Sequence, residues 1–221
     1  MKKDIIMNCL GDSTTWGDNG QNTGGNHISW TTQIQEFLNF KSIRNYGVKG
    51  SRIAITSDRD DSFIERYKYM DNNADIITVL GGINDFNNAV PMGNKDSFDP
   101  HCFYGALNTL ISELLKKYPN KDIIFMTPMK SNFVHQIKNY PDSFSYNKLN
   151  LKQADYVNAI KNTCDYYSIP VLDMYKESGI SPYNEYQANL YMPDKLHYNK
   201  DGYFRLAKKI ARYLNQYCSL I

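Results

Sequence analysis

Residues 5–17, with the sequence IIMNCLGDSTTWG, join an apolar run to a turn that contains a serine. The run Ile5–Leu10 predicts a buried β-strand, and Gly11 ends it. Ser13 then lies at a strand-to-helix turn, where its side chain is exposed at the rim of a sheet and negative charge is favoured. The same pattern fits a serine that only caps the following helix, so this stretch alone leaves catalysis and capping equally open.

Further short apolar runs alternate with amphipathic patterns along the chain. The later predicted strands cover residues 42–45, 76–80, 123–126 and 170–172. Helices are predicted between and after these strands. One begins at Ser29, which caps it, and the next covers 62–70. Another begins at Asp99-Pro100 with Asp99 as the cap, a further one covers 151–167, and the last has an apolar face from Tyr203 to Leu214. Strands that are apolar on both faces and alternate with helices indicate a parallel sheet covered on both sides. We therefore expect an α/β fold, a three-layer sandwich with a five-stranded parallel sheet, in which residues 1–221 form one domain.

Two more polar motifs follow predicted strands. In an open parallel sheet, ligands bind outside the carboxyl ends of the strands. The second strand leads into Asn45-Tyr46-Gly47-Val48-Lys49-Gly50, where a glycine can offer its N–H without a side chain in the way. The third leads into Gly81-Gly82-Ile83-Asn84-Asp85, which places the Asn84 carboxamide beside the first strand. Each of these motifs alone also fits an ordinary turn.

A fourth motif, Asp194-Lys195-Leu196-His197, precedes the last predicted helix. Two intervening residues let the Asp194 carboxylate reach the His197 imidazole, which is the orienting bond that a general-base histidine needs. An isolated Asp–His pair at this spacing is more often a coincidence on the surface. The four motifs together, in this order, are far more specific than any one of them.

With these motifs, the chain resembles the SGNH hydrolases, the superfamily of GDSL-type esterases and lipases, from Gly11 to His197. The resemblance implies that Ser13 is the nucleophile and that Asp194 and His197 complete a catalytic triad. It implies ester hydrolysis through an acyl-enzyme, with no metal and no organic cofactor. The implied fold is a flavodoxin-like three-layer α/β/α sandwich, in agreement with the pattern of strands and helices.

The same resemblance implies an oxyanion hole formed by Ser13, Gly50 and Asn84. Two positions depart from the usual family pattern. Thr14 follows the GDS motif in place of leucine, and Tyr198 follows the histidine in place of proline. Both flank the proposed catalytic atoms, so they bear on substrate preference more than on chemistry.

The predicted loops suggest a polar substrate. Segments 140–146 and 183–191 are rich in tyrosine, and amide side chains are interleaved with them: Asn147, Asn184, Gln187 and Asn189. Such surfaces suit a sugar as leaving group, and no continuous apolar run for a long acyl chain lies near any motif. We therefore expect a short-chain, acetyl-type esterase acting on a small-molecule or carbohydrate ester. Alternatively, the tyrosines only pack the loops onto the sheet.

Other functions stay open at this point. A lysophospholipase or thioesterase would use the same catalytic groups, and a non-catalytic binding module or an inactive hydrolase could share the fold. The chain has neither a G-x-G-x-x-G motif after a strand nor a P-loop, which disfavours a nucleotide binder. An inactive hydrolase is disfavoured because every triad and oxyanion position is filled.

Composition excludes several classes of partner. The 25 basic and 23 acidic side chains leave a net charge of +2, which is too balanced for a nucleic-acid binder. No apolar run approaches the roughly 18–20 residues that a membrane span needs. Residues 5–10 are too short and interrupted for a signal peptide, so we expect a cytoplasmic protein. The four cysteines are scattered, and we expect them to be buried apolar residues rather than disulfides or metal ligands. The oligomeric state stays open.

Several further residues with polar side chains invite a functional interpretation. Asp12 and Asp85 neighbour the proposed catalytic positions, and we expect each to brace its loop by accepting backbone N–H bonds. The acidic run 58–62 lacks the glycine and glutamate of a calcium loop, so a solvated loop or a cleft wall beside Gly50 is favoured. The remaining histidines, His27, His101 and His135, lack an acidic partner at useful spacing and are expected to be structural.

Overall fold

The computed structural model describes residues 4–133, 135 and 140–218. Its sheet is five-stranded and parallel, with the strand order β2-β1-β3-β4-β5. The strands are β1 (Ile6–Gly11), β2 (Ser42–Gly47), β3 (Ile76–Leu80), β4 (Asp122–Met126) and β5 (Val171–Leu172). The predicted α/β fold is confirmed, and β2 runs two residues further than predicted because its ladder with β1 continues to the Gly11–Gly47 pair.

Helices connect the strands and cover the sheet. The α-helices of the described residues are α1 (Ser13–Trp16), α2 (Trp30–Gln33), α3 (Phe63–Arg66), α4 (Ile83–Asn87), α5 (Phe103–Lys117), α6 (Gln153–Tyr166), α7 (Met174–Glu177), α8 (Glu185–Tyr191) and α9 (Lys200–Tyr217). One turn of 3₁₀-helix extends α2 over Ile34–Glu36, and another extends α3 over Tyr67–Tyr69. No helix among these residues is both long enough and apolar enough to cross a membrane.

A separate apolar core lies on each face of the sheet. In β3, Ile77 and Val79 belong to the core under α5 and α6, whereas Ile76 and Leu80 belong to the core under α2 and α9. Successive side chains of a strand point to opposite faces, so a strand buried on both faces is apolar at nearly every position. The predicted three-layer sandwich follows from this alternation and is confirmed.

The starts of three helices show where a local sequence pattern is enough to predict the capping residue and where it is not. Ser29 caps α2, as predicted. Ser62 caps α3 through a complete capping box with Glu65, which the sequence analysis did not predict. The prediction that Asp99 caps a helix with Pro100 as its first residue is wrong, because α5 begins at Phe103. The Asp99 side chain accepts the N–H of His101 instead, and this closes a turn before the helix.

Candidate active site

The strand order brings three of the motifs to one point. β1 lies between β2 and β3, and Gly11 at its carboxyl end pairs with Gly47 on one side and Leu80 on the other. Because all three strands are parallel, the segments that follow them leave the sheet at the same edge. The segment after β1 carries Ser13, and those after β2 and β3 carry Gly50 and Asn84.

Ser13, His197 and Asp194 form a continuous hydrogen-bonded relay. The Ser13 Oγ lies 3.0 Å from His197 Nε2, and His197 Nδ1 lies 2.6 Å from Asp194 Oδ2. The other carboxylate oxygen of Asp194 accepts the backbone N–H groups of Leu196 and His197, at 3.0 and 2.7 Å. The carboxylate is therefore fixed on the loop that carries the histidine, and it orients the imidazole toward the serine.

The turn after β1 holds Ser13 in place. Asp12 caps α1 and accepts the N–H of Thr14 at 2.9 Å, while Gly17, with φ of +98°, ends the helix after one turn. Burial raises the pKa of Asp12 to about 6, although the hydrogen bond from Thr14 opposes this change. The geometry gives Asp12 the bracing contact that its sequence position suggested.

Hydrogen bonds join the two segments that carry the proposed oxyanion donors Asn84 and Gly50. Asn84 lies in the first turn of α4, and its Nδ2 donates to the Ser51 carbonyl at 3.0 Å, one residue beyond Gly50. The Asp85 carboxylate accepts the N–H groups of Ile53 and Ala54, both at 3.0 Å. Burial raises the pKa of Asp85 to about 6 against the effect of these two hydrogen bonds. These contacts tie the start of α4 to the segment that contains Gly50.

Arg66 connects the same segments through hydrogen bonds. No sequence motif indicated this role. The Arg66 guanidinium donates to the carbonyls of Gly11 and Tyr46, at 3.0 and 2.5 Å, and to Ser51 Oγ at 2.9 Å. These acceptors lie at the ends of β1 and β2 and beside Gly50. Burial lowers the pKa of Arg66 to about 10, so the side chain stays charged at neutral pH.

Two carboxylates of the acidic loop form ion pairs with arginines. Asp58 pairs with Arg52 and Asp61 with Arg59. A Cβ atom at Gly50, where φ is +77°, would lie 3.0 Å from Arg59 Nη1, so this loop does border Gly50. Among the described residues, no group of three or more His, Cys, Asp or Glu side chains is placed to hold a metal ion.

A carboxylate that the sequence did not single out, that of Asp18, lies beside the imidazole and pairs with Lys49. Asp18 Oδ2 is 3.8 Å from His197 Nε2 and 2.8 Å from Lys49 Nζ. Lys49 also lies over the ring of Trp16, with its Nζ 5.1 Å from the ring centre. We call the region formed by Asp18, Lys49, His197 and Asp194 the base side of the site. Neither Asp18 nor Lys49 belongs to a spacing that predicts this contact.

Neighbouring carboxylates determine the direction in which the pKa of His197 changes. Burial of the ring lowers this pKa, but the hydrogen bond and charge of Asp194, together with the charges of Asp18 and Asp12, raise it by more. The net result is a pKa above the ordinary 6.5. The pKa of Asp194 is lowered because its bonds to His197 and the adjacent backbone outweigh the effect of burial.

A cavity of about 10 Å³, lined mainly by apolar side chains, lies beside the two chain neighbours of Ser13. Asp12, Thr14, Ile83 and Leu196 of its lining adjoin the proposed catalytic residues, Leu80 ends β3, and Pro128 and Met129 follow β4. Five of these seven side chains are purely apolar, and only Asp12 carries a charge. We refer to this space as the acyl cavity.

Several polar residues in the two long loops hold those loops in place. The Tyr183 hydroxyl donates to Asp142 Oδ1 at 2.8 Å and accepts the N–H of Ser143 at 3.1 Å. Asn147 is buried, and its Nδ2 donates to the Phe86 carbonyl. Asn184 caps α8, and Gln187 accepts the N–H of Ser181. These contacts favour the alternative in which the loop residues pack the loops rather than bind substrate.

The other histidines occupy different surroundings. His101 Nδ1 lies 3.2 Å from the Ile55 carbonyl. The rings of Phe133 and His135 are in edge contact at 5.8 Å, and Phe133 also stands 6.4 Å from the ring of His197. Of these histidines, only His197 contacts the serine.

Comparisons with known proteins agree with this geometry. The model of the GDSL-like lipase/acylhydrolase family matches residues 9–205. A protein from Lactobacillus plantarum is 28% identical, with a TM-score of 0.82 over 97% of this chain and 98% of that one. A Mycobacterium protein described as M. smegmatis aryl esterase is 14% identical, with a TM-score of 0.67 over 96% of this chain and 99% of that one. A carbohydrate acetylesterase family member from Sinorhizobium meliloti has the same identity and TM-score, over 96% of this chain and 98% of that one.

No curated protein sequence matches this chain significantly. The family match covers nearly the whole chain and includes the four motifs that meet at the edge of the sheet. The two structures at 14% identity show a shared fold. The chain belongs to the GDSL-like lipase/acylhydrolase family, whose members hydrolyse esters.

Proposed function

We propose that this protein removes short acyl groups, above all acetyl, from a carbohydrate, through an acyl-enzyme formed on Ser13. The observation that carries the proposal is the relay from Ser13 through His197 to Asp194, with contacts of 3.0 and 2.6 Å, beside a cavity of about 10 Å³ that the chain neighbours of Ser13 help to line. The relay supports acyl transfer, and the size of the cavity supports a short acyl group.

The chemistry follows from the relay. Ser13 Oγ attacks the ester carbonyl while its proton passes to His197 Nε2, and a tetrahedral intermediate forms. The C–O bond to the alcohol then breaks, and the same proton passes from Nε2 to the leaving oxygen. Water repeats the sequence: its proton passes to Nε2, its oxygen attacks the acyl carbon, and the proton returns to Ser13 as the carboxylic acid leaves. Asp194 holds the imidazole tautomer throughout and stabilises the imidazolium.

The negative oxygen of the intermediate needs fixed donors. The backbone N–H groups of Ser13 and Gly50 and the Asn84 amide are the donors that this edge of the sheet supplies. Asn84 is anchored to the Ser51 carbonyl, and this anchoring supports a preorganised donor. Such donors do not reorganise as charge develops, which is why each contributes strongly to the rate.

The acyl cavity supports a short acyl group. Room of about 10 Å³ is close to what one water molecule or one methyl group needs. Leu80, Ile83 and Met129 line it and are almost fully buried, at 2%, 5% and 6% exposure. A longer chain would have to displace close-packed side chains, which costs free energy with each added methylene.

The base side supports a polar alcohol. His197 Nε2 is the atom that protonates the leaving oxygen, so groups close to it border the alcohol. The nearest charged groups there are Asp18, at 3.8 Å, and Lys49, which pairs with it. A carboxylate, an ammonium and the adjoining Trp16 ring offer hydrogen bonds and stacking area to a hydroxylated ring. The polarity of the base side therefore supports the proposal of a carbohydrate substrate. The tyrosine-rich loops support it less, because several of their polar side chains are hydrogen-bonded within the loops.

Two substrate series test the proposal. The first measures kcat/KM for p-nitrophenyl esters from acetate to palmitate, and we expect a steady fall beyond about four carbons. The second compares an acetylated monosaccharide with ethyl acetate, and we expect the sugar to be preferred. A rise toward octanoate would overturn the short-acyl assignment and favour a lysophospholipase or thioesterase. A preference for ethyl acetate would overturn the carbohydrate assignment.

A further inference from the structure

Asp18 is anchored more firmly than a surface carboxylate. Its side chain is only 7% exposed, its Oδ2 pairs with Lys49 Nζ, and its Oδ1 accepts the N–H of Gly20 at 3.1 Å. Its backbone carbonyl accepts the hydroxyl of the buried Tyr203 at 2.6 Å. These three contacts fix a second carboxylate beside the imidazole, on the side away from Asp194.

The charged groups around the ring come from three parts of the chain. Asp194 faces Nδ1 from the loop before α9, while Asp12 and Asp18 flank α1 at its two ends. Lys49, after β2, is the positive group in this set. Phe133 covers an edge of the ring without charge.

We propose that Asp18 is a positioning residue for the catalytic base, whose carboxylate, anchored by Lys49, stabilises the imidazolium of His197 while the proton resides on Nε2. At 3.8 Å the carboxylate is too distant for a good hydrogen bond to Nε2, and that distance leaves Nε2 directed at Ser13. Its charge still acts across this distance, because both groups are largely buried. Asp18 takes up no proton in the reaction.

Lys49 has a defined part in this arrangement. Its ammonium holds the Asp18 carboxylate in place and offsets part of its charge. Full stabilisation of the imidazolium would keep His197 protonated and unable to accept the serine proton. The pair thus balances two needs, a base that is neutral before the attack and a cation that is stable after it.

The inference rests on the proposed function for its catalytic meaning, but the direct measurement does not require a substrate. The chain has four histidines, so the Cε1–H signal of each can be followed by NMR through a pH titration. Substitution of His197 by Gln identifies its signal. The acidic limb of kcat/KM for p-nitrophenyl acetate then reports the same ionisation during turnover.

The variants are Asp18→Asn and Lys49→Met, with Lys161→Met as the matched control. Asparagine keeps an acceptor for the N–H of Gly20 and replaces the charged oxygen that pairs with Lys49 by an uncharged amide nitrogen. Lys161 is 45% exposed, against 43% for Lys49, and pairs with Asp173 at 2.7 Å. It lies on α6.

The two active-site variants should move the titration in opposite directions. Loss of the Asp18 charge should shift the His197 midpoint and the acidic limb to lower pH by about one unit, since a carboxylate at this distance favours the protonated ring. Loss of Lys49 should shift both to higher pH, and Lys161→Met should shift neither. If Asp18→Asn fails to fold, Asp18→Ser takes its place, because serine removes the same charge and its hydroxyl is an acceptor for the N–H of Gly20.

Equal midpoints in the wild-type and variant proteins would overturn the inference. A purely structural role for Asp18 would lower kcat and leave the limb where it was. If the wild-type protein does not hydrolyse esters while the NMR shifts occur, the proposed function fails and the electrostatic role of Asp18 stands. If the wild-type protein is active and the midpoints coincide, only the role of Asp18 fails.

Discussion

The acyl cavity and the base side lie next to each other around Ser13, yet the chain builds them differently. The cavity is lined mainly by apolar side chains, such as Leu80 and Ile83, which the close-packed cores on the two faces of the sheet hold. The base side is built by loops, which place Asp18 and Lys49 near His197 through an ion pair and hydrogen bonds. One side is shaped by packing and the other by charge.

This difference indicates how the two halves of the substrate are selected. Close packing gives the cavity a fixed size, so we expect the acyl group to be selected by volume. We expect the alcohol to be selected on the base side by hydrogen bonding, which depends on the position of a few polar atoms. Substitutions on the two sides should therefore change different kinetic quantities.

The largest effect should come from Asn84, because its proposed role in the oxyanion hole is needed for every ester, whatever the acyl group and the alcohol. Asn84→Ala removes the amide that supports the negative oxygen, so kcat should fall by about 10²–10³ for every ester while KM changes little. Asn88→Ala is the control, since that amide donates to the Asn84 carbonyl at the other end of α4. A loss confined to KM would contradict the role of Asn84 in the oxyanion hole.

The next effect tests how tightly the base side is built. A Cβ atom at Gly20 would lie 2.3 Å from Asp194 Oδ2, so Gly20→Ala must displace the carboxylate that orients the imidazole. We expect kcat to fall by up to about 10², the cost of misplacing a catalytic group by roughly 1 Å. Steady-state kinetics with p-nitrophenyl acetate measures this loss.

Gly179→Ala is the matched control for this prediction. Its φ of +73° is close to the +70° of Gly20, but the nearest atom to its Cβ is Arg205 Nη2 at 3.8 Å. Both alanines carry the same backbone strain, and only one reaches the triad. Equal losses of activity would show that strain, and not the contact with Asp194, is responsible.

The smallest effect concerns the acyl cavity. Met129→Ala should enlarge the cavity and raise the butyrate-to-acetate ratio of kcat/KM several-fold, because the added space accommodates further methylenes. Met126→Ala removes the same side chain from a buried site in β4 outside the cavity lining. If both variants change the ratio equally, general loosening of the core is the cause.

The sequence predicts the positions of the triad and of the sheet because their requirements are local. Ser13 follows a strand, and Asp194 lies three residues from His197, so spacing along the chain determines both. The two cores likewise follow from strands that are apolar on both faces. The parallel arrangement then brings separate strand ends together without any further signal.

The base-side charges could not be predicted in this way. Asp18 and Lys49 meet only because the loops after β1 and β2 fold toward each other, and neither residue type nor spacing records that contact. The polar residues of the long loops fit two interpretations of the sequence, packing of the loops and binding of a substrate. Loop backbone groups need hydrogen-bond partners, and side chains such as Asn147 and Tyr183 supply them, so polarity there indicates loop structure before it indicates a ligand.

The central claim is that Ser13 is a nucleophile activated by His197, and covalent trapping tests it most directly. The wild-type protein and Ser13→Ala are treated with a fluorophosphonate, and intact mass and peptide mapping locate the adduct. Removal of one hydroxyl at a turn disturbs little packing, so both proteins should melt at similar temperatures. We predict one adduct on Ser13 of the wild-type protein and none on the variant. An adduct that persists in folded Ser13→Ala, or a folded wild-type protein that gains none, would contradict the account.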